Sequence, residues 1–364
     1  MVDREGTLIP DLPGTGRWFR VAALGRAAGL AWLRGDAAGC RAALDRQQSL
    51  AGGHPPSEVT AFTSSALLTA ASGNPGPARH HLAEAGSRLH AAGIAALAPQ
   101  WEQAALVCDW VAGDRSAAQA RTARLEAMPP PVPAAVTLSL RVELLRGTGR
   151  TDAARLVAVR LTAAAPKALA AWALAGLDAE PAVALARLRT ATDAAWRDGH
   201  QGLIPLLLHR MARIAVDAGE PETAAEAHAG FARLEDQGPL ARVLAGLTEA
   251  RATGSVEPAR LAHRLAGSAG LSALAADALD LRDRLGGVAA PPPAGAGERR
   301  APALTPRERE LAGLVRTGRT NRQIAEVMHL SVKSVEAYLT RVYAKTGCAT
   351  RLELALAVSE GRVE

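Results

Sequence analysis

A small, polar turn built around glycine recurs along most of this chain, and each time an Ala/Leu-rich stretch follows it. It reads RGDAAGCRAAL around Gly35, SGNPGPARHHL at Gly73, AGDRSAAQARTARL at Gly113 and GTGRTDAARLVAVRL at Gly147. It returns as AGEPETAAEAHAGF at Gly219 and TGSVEPARLAHRL at Gly254, most spacings being about 35 to 40 residues. Glycine permits the left-handed residue that closes one helix. Asp, Asn, Ser or Thr caps the next, and Pro is tolerated in its first turn. The pattern therefore predicts helical hairpins, each too small to bury its apolar face except against its neighbours. A displaced unit is expected around Gly176.

Composition agrees with an all-α chain. Hydrophobic residues make up 48% of the 364 positions but aromatic residues only 3%, and Ala, Leu, Arg and Gly together fill most positions of the chain; this favours helices over sheets. The length predicts two or three structural units. The repeat period is similar to that of tetratricopeptide arrays, so the fold expected for residues 1–286 is a TPR-like helical-repeat region, an irregular helical bundle being the alternative. The segment MPPPVPA, from Met128 to Ala134, is read as a long inter-helix loop. Residues 287–303, rich in Pro and Gly, are expected to be an extended linker. A third unit, 304–364, follows.

The formal charge of +6 suits an anionic partner. About nine basic against about four acidic side chains fall between Arg307 and Arg351, a local excess of the kind phosphates attract. Cys40, Cys108 and Cys348 form no CxxC pair, so neither a disulfide framework nor a zinc ribbon is indicated, and a reducing cytoplasm fits. The N-terminus MVDREGTLIP is charged, and no run approaches the roughly 20 apolar residues of a membrane span. A soluble cytoplasmic location is expected.

The last unit carries the most specific signal. Thr305, Pro306 at the first helical position and Glu308 three residues after Thr305 predict a capping box and a helix through Val315. Gly318 ends it. Thr320 and Gln323 repeat the device for a short helix that presents Ile324, Ala325 and Met328 inward. Ser331 caps a third helix, from Val332 to about Thr346, in which Val335, Leu339 and Val342 face the core. Lys333, Glu336, Ala337, Thr340, Arg341 and Ala344 lie on or flank the opposite surface, a stripe suited to a major groove. Thr350 and Glu353 open a fourth, strongly apolar helix.

The order of these pieces resembles the LuxR-type helix-turn-helix domain of bacterial regulators, over about Leu304 to Val358. Positions in register include Thr305, Glu308, Asn321, Ile324, Ser331, Val335, Glu336, Leu339, Lys345 and Gly347. Ser334, Tyr338 and Thr346 depart from the usual Thr, His and Leu. The resemblance implies that the third helix reads double-stranded DNA with Glu336, Ala337 and Thr340 facing bases. It makes Lys333, Ser334, Tyr338, Arg341 and Lys345 candidates for phosphate contacts. It also implies a homodimer through the fourth helix, with Leu352 and Leu356 at the contact. Plain packing is the alternative for Tyr338.

Chemistry elsewhere is not indicated. None of the three lysines, Lys167, Lys333 and Lys345, follows a glycine, so there is no P-loop, and the chain looks LAL-like without the ATPase part. His80, His81 and His90 lack partners at metal-ligand spacing. Ser268 lacks a nucleophile-elbow frame, and no cofactor is implied. Trp32, Trp101, Trp110, Trp172 and Trp196 either fill gaps in an Ala-rich core or line a ligand groove, core packing being favoured. The expected function is transcription regulation, with a protein, peptide or small-molecule effector on the helical region. The rival is a protein-interaction scaffold whose terminal domain only docks.

Overall fold

A computed structural model of the protein describes residues 16–161, 167–234, 238–287, 304–316, 319, 321–328, 330–331, 334–335, 338–339, 342, 345–346 and 358. Helices and turns account for the regular structure, with no strand among the described residues. The chain divides into two compact units, Met1–Val288 and Ala289–Glu364. No described helix is long and apolar enough to cross a membrane.

The larger unit is a series of hairpins. Helix α1 (Arg17–Leu33) turns back on α2 (Ala37–Ala51), α3 (Pro55–Ala71) on α4 (Pro75–Ala91), α5 (Ala98–Ala112) on α6 (Arg115–Glu126), and α7 (Ala134–Gly147) on α8 (Thr151–Leu161). The series continues with α9 (Lys167–Leu174) and α10 (Pro181–Arg197), α11 (Ile204–Asp217) and α12 (Pro221–Phe231), and α13 (Pro239–Thr253) and α14 (Val256–Ala269). Helix α15 (Ser272–Gly287) covers the last pair. Odd-numbered helices pack successively on one another, and each even-numbered helix fills the groove between two odd ones. The 128–133 segment is a loop, and α7 still packs on α5 and α6 across it.

The local causes are those of the turn pattern. Asp36 accepts the Gly39 N–H at 2.7 Å and Asp114 accepts that of Ala117 at 3.0 Å, capping α2 and α6. Proline opens α3, α4, α10, α12 and α13. One assignment shifts: the left-handed residue of the fourth turn is Gly149, Gly147 being the last residue of α7. Fully buried alanines such as Ala66, Ala70, Ala104 and Ala105 let the helices approach closely, and Leu185, Leu188, Leu207 and Leu247 fill the space between them.

The series coils back on itself. The Leu240 N–H, at the start of α13, donates to the Ser72 carbonyl just past α3 at 3.2 Å. The Ser272 hydroxyl, opening α15, donates to the Ala112 carbonyl at the end of α5. Gly202, in a short 3-10 turn before α11, lies so near α1 that a Cβ there would be 2.5 Å from the Trp32 carbonyl oxygen. Gly73 combines φ +93° with a place where a Cβ would lie 2.3 Å from the Leu240 nitrogen, so only glycine fits. Three successive hairpins of the first turn thus meet two hairpins and the single helix α15 of the second.

Candidate nucleic-acid interface

The smaller unit begins at the capping box the sequence predicts. The Thr305 N–H donates to the Glu308 carboxylate at 2.8 Å, and the Glu308 N–H donates back to the Thr305 hydroxyl at 3.3 Å. Helix α16 (Pro306–Arg316) follows, then α17 (Asn321–Met328). Ser331 accepts the Ser334 N–H at 3.0 Å and Val335 donates to the Ser331 carbonyl, so Ser331 caps the third helix as expected. Described residues 334–335, 338–339, 342 and 345–346 are all helical.

One apolar cluster holds these pieces together. Leu304, Leu311, Ala312 and Val315 from α16 and its approach meet Ile324 and Ala325 of α17 and Val335, Leu339 and Val342 of the third helix. Met328, Leu330, Tyr338 and Val358 pack around them. Every inward position read from the sequence on these three segments is buried or packs on the cluster.

A salt link ties the first segment to the last turn of the third. The Lys345 ammonium lies 2.6 Å from the Glu308 carboxylate, whose side chain is 4% exposed. The hydrogen bond from Lys345, reinforced by the Thr305 N–H, holds the Glu308 carboxyl down at about 2. The capping pattern gave Glu308 one job; its second partner stands 37 positions away and left no local signal.

Of the candidate DNA contacts, Ser334, Tyr338 and Lys345 are described. All three are half-buried on one flank of the third helix. Ser334 shares a 2.8 Å hydroxyl contact with Ser331, the Tyr338 ring packs on the apolar cluster, and Lys345 is held by Glu308. Lys333, Glu336, Ala337, Thr340 and Arg341 lie outside the described residues, as do the dimer candidates Leu352 and Leu356.

The larger unit holds a second polar site that sequence reasoning missed. A cavity of about 330 Å³ opens where the odd-numbered helices converge. On its wall Arg210, 4% exposed, donates to both oxygens of Glu143 at 2.8 and 2.5 Å and to the Trp172 carbonyl at 2.6 Å, with its guanidinium 4.3 Å above the Trp172 ring. Arg146 shares Glu143 at 3.0 Å. Burial alone would raise the Glu143 carboxyl, but the hydrogen bonds and charges of Arg210 and then Arg146 hold it at about 2. Gly176 makes room for the cluster: a Cβ there would lie 2.8 Å from the Arg210 guanidinium. The displaced unit noted at Gly176 therefore marks a packing site. Trp110 and Trp172, in edge contact at 5.5 Å, also line the cavity, so these tryptophans belong to a ligand-sized space as well as to the core.

Residues 302–358 match the family of bacterial regulatory proteins of the luxR type, which makes this segment a luxR-type helix-turn-helix domain. A Mycobacterium bovis protein named as an HTH-type transcriptional regulator is 45% identical over 65 residues, covering 16% of this chain and 7% of that protein. The DNA-binding transcriptional activator DevR/DosR of Mycobacterium tuberculosis is 43% identical over 68 residues, 18% of this chain and 31% of the activator. The tetrathionate response regulatory protein TtrR of Salmonella typhimurium is 49% identical over 51 residues, 14% and 25% of the respective lengths. The chain thus spans less than a third of each relative.

Proposed function

We propose that the protein is a sequence-specific, DNA-binding transcriptional regulator in which the C-terminal domain contacts duplex DNA and the helical-repeat region controls it. The observation that carries this reading is the luxR-type domain built on a capped, fully apolar three-segment core. Because Val335, Leu339 and Val342 are committed to that core, a helical period of 100° per residue supports reading Glu336, Ala337 and Thr340 as the base-facing side. Those three supply base contacts, and Lys333, Ser334, Tyr338, Arg341 and Lys345 contact phosphates.

Leu352 and Leu356 pair two copies on a two-fold related site. The hairpin series is the TPR-like region of a LAL-like regulator, and it holds an effector. Control is by association: joining two DNA-binding domains raises the effective concentration of the second at its half-site. Deleting residues 1–303 tests this. The truncated domain should keep single-site contacts and lose affinity and cooperativity on a paired operator. Equal affinity, stoichiometry and cooperativity in both proteins would exclude control by association.

A further inference from the structure

We propose that the cavity between α5, α7, α9, α11, α13 and α15 binds a small organic acid with an apolar body, its acid group held by Arg213 and its body against the leucines of the wall. This gives a chemical class to the effector invoked above and rests on that reading for its regulatory meaning, though not for the binding itself.

The charges at the site do not balance. Arg210 and Arg146 share the single carboxylate of Glu143, and Arg251 takes both oxygens of Asp277 at 2.9 Å. That uses both carboxylates of the wall. Arg115 lies over the Trp110 ring at 5.3 Å with no carboxylate of its own. Arg213 makes no hydrogen bond or ion pair among the described residues. The Arg146 Nε is buried and has no acceptor. Burial, then the neighbouring Arg210 and Arg146, pulls the Arg213 guanidinium down to about 10. A partly buried cation among other cations is unfavourable unless an anion joins it, and a concave, low-dielectric wall strengthens that attraction.

His209 adds no further cation, since burial and then Arg251, Arg213 and Arg210 hold it neutral. Apart from Gln119 and Thr148, the remaining wall is apolar. Leu144, Leu206, Leu240, Leu244 and Leu274 line the space, and about 330 Å³ is at the small end of ordinary ligand sites. A folded partner does not fit there. The wall also joins the two turns of the coil: Trp110 comes from the end of α5, Leu274 from the start of α15 that lies against it. An occupant therefore bridges contacts that set how tightly the coil closes, which is a route from ligand to the shape of the helical region.

Calorimetric titration of the full-length protein with octanoate, its uncharged counterpart octanamide and inorganic phosphate tests the inference. Octanoate should bind at one site, at least about tenfold more tightly than octanamide and than phosphate, because only it supplies both the charge and the apolar body. Arg213→Met should lower octanoate affinity about tenfold while melting temperature and helical content stay unchanged. No octanoate binding up to about 10 mM, equal binding of the amide, equal binding of phosphate, or an unaffected Arg213→Met protein would overturn the proposal. Retention on duplex DNA is measured separately: octanoate binding without DNA retention leaves the ligand site standing and removes the regulator reading, and the reverse result removes only the ligand site.

Discussion

Lys345 and Glu308 close the small domain on itself: an ammonium from the end of the third helix reaches a nearly buried carboxylate in the first turn of α16 at 2.6 Å. The same carboxylate accepts the Thr305 N–H, so one side chain caps a helix and anchors another. The flank of the proposed DNA-reading helix is thereby fixed relative to α16.

Acid should loosen this link. The Glu308 carboxyl titrates at about 2 in the folded protein, below its ordinary value, so its contribution is complete above about pH 4.5 and is lost as pH falls toward 2. Glu143 in the helical region is lowered in the same window, so the informative quantity is the difference between wild type and Glu308→Gln. Thermal melts should show Glu308→Gln less stable at pH 7, with the gap narrowing at pH 3. A gap independent of pH would remove the charge from the account. Thr305→Ala, which deletes only the hydroxyl cap, should cost about 1 kcal/mol.

The closure of the coil can be isolated at two glycines. Gly53 and Gly73 both hold left-handed backbone, with φ of +74° and +93°, and an alanine at either pays for that conformation, about 1 kcal/mol. Only at Gly73 does the added methyl meet another chain segment, the Leu240 backbone; at Gly53 nothing lies within 4 Å. Urea unfolding should therefore find Gly73→Ala less stable than Gly53→Ala by about 1–3 kcal/mol. Equal losses would mean that the two turns of the coil do not bear on each other.

The hairpins were legible because their signals are local: a glycine to end a helix, an Asp or Pro to start the next, and an apolar face between. Gly35, Gly73, Gly113, Gly219 and Gly254 all adopt the left-handed conformation expected of them. The fourth turn shows the limit, since GTGR offers two glycines and it is Gly149, not Gly147, that takes the left-handed conformation. Val335, Leu339 and Val342 were legible for the same reason, one helix period. The pairing of Glu143 with Arg210, 67 positions apart, and the meeting of Ser72 with Leu240 were not. They follow from how the hairpins coil, which no short window of sequence records.

The two surfaces of the third helix should separate by their effect on binding. Arg341→Ala should weaken binding to every duplex alike, whereas Thr340→Ala or Ala337→Ser should change which operator is preferred, a base contact discriminating by roughly 1–3 kcal/mol at one position. Competition assays against a set of single-base operator variants measure both. The same specificity shift from both kinds of substitution would contradict the division.

Phosphate contacts also fix how binding responds to salt. With about five phosphates neutralised, a plot of log affinity against log salt should have a slope near −4 to −5. Fluorescence anisotropy on one duplex at several salt concentrations gives the slope, and a flat response would contradict a phosphate-bound interface.

Selection of sequences from fragmented genomic or randomised duplex DNA by the full-length protein, run beside Arg341→Ala, tests the central claim most directly. The account predicts strong enrichment of a short motif with two-fold symmetry by the wild-type protein, and weaker recovery of the same motif by the variant. Recovery of no duplex at low salt, or of duplexes sharing no motif, would contradict a sequence-specific regulator.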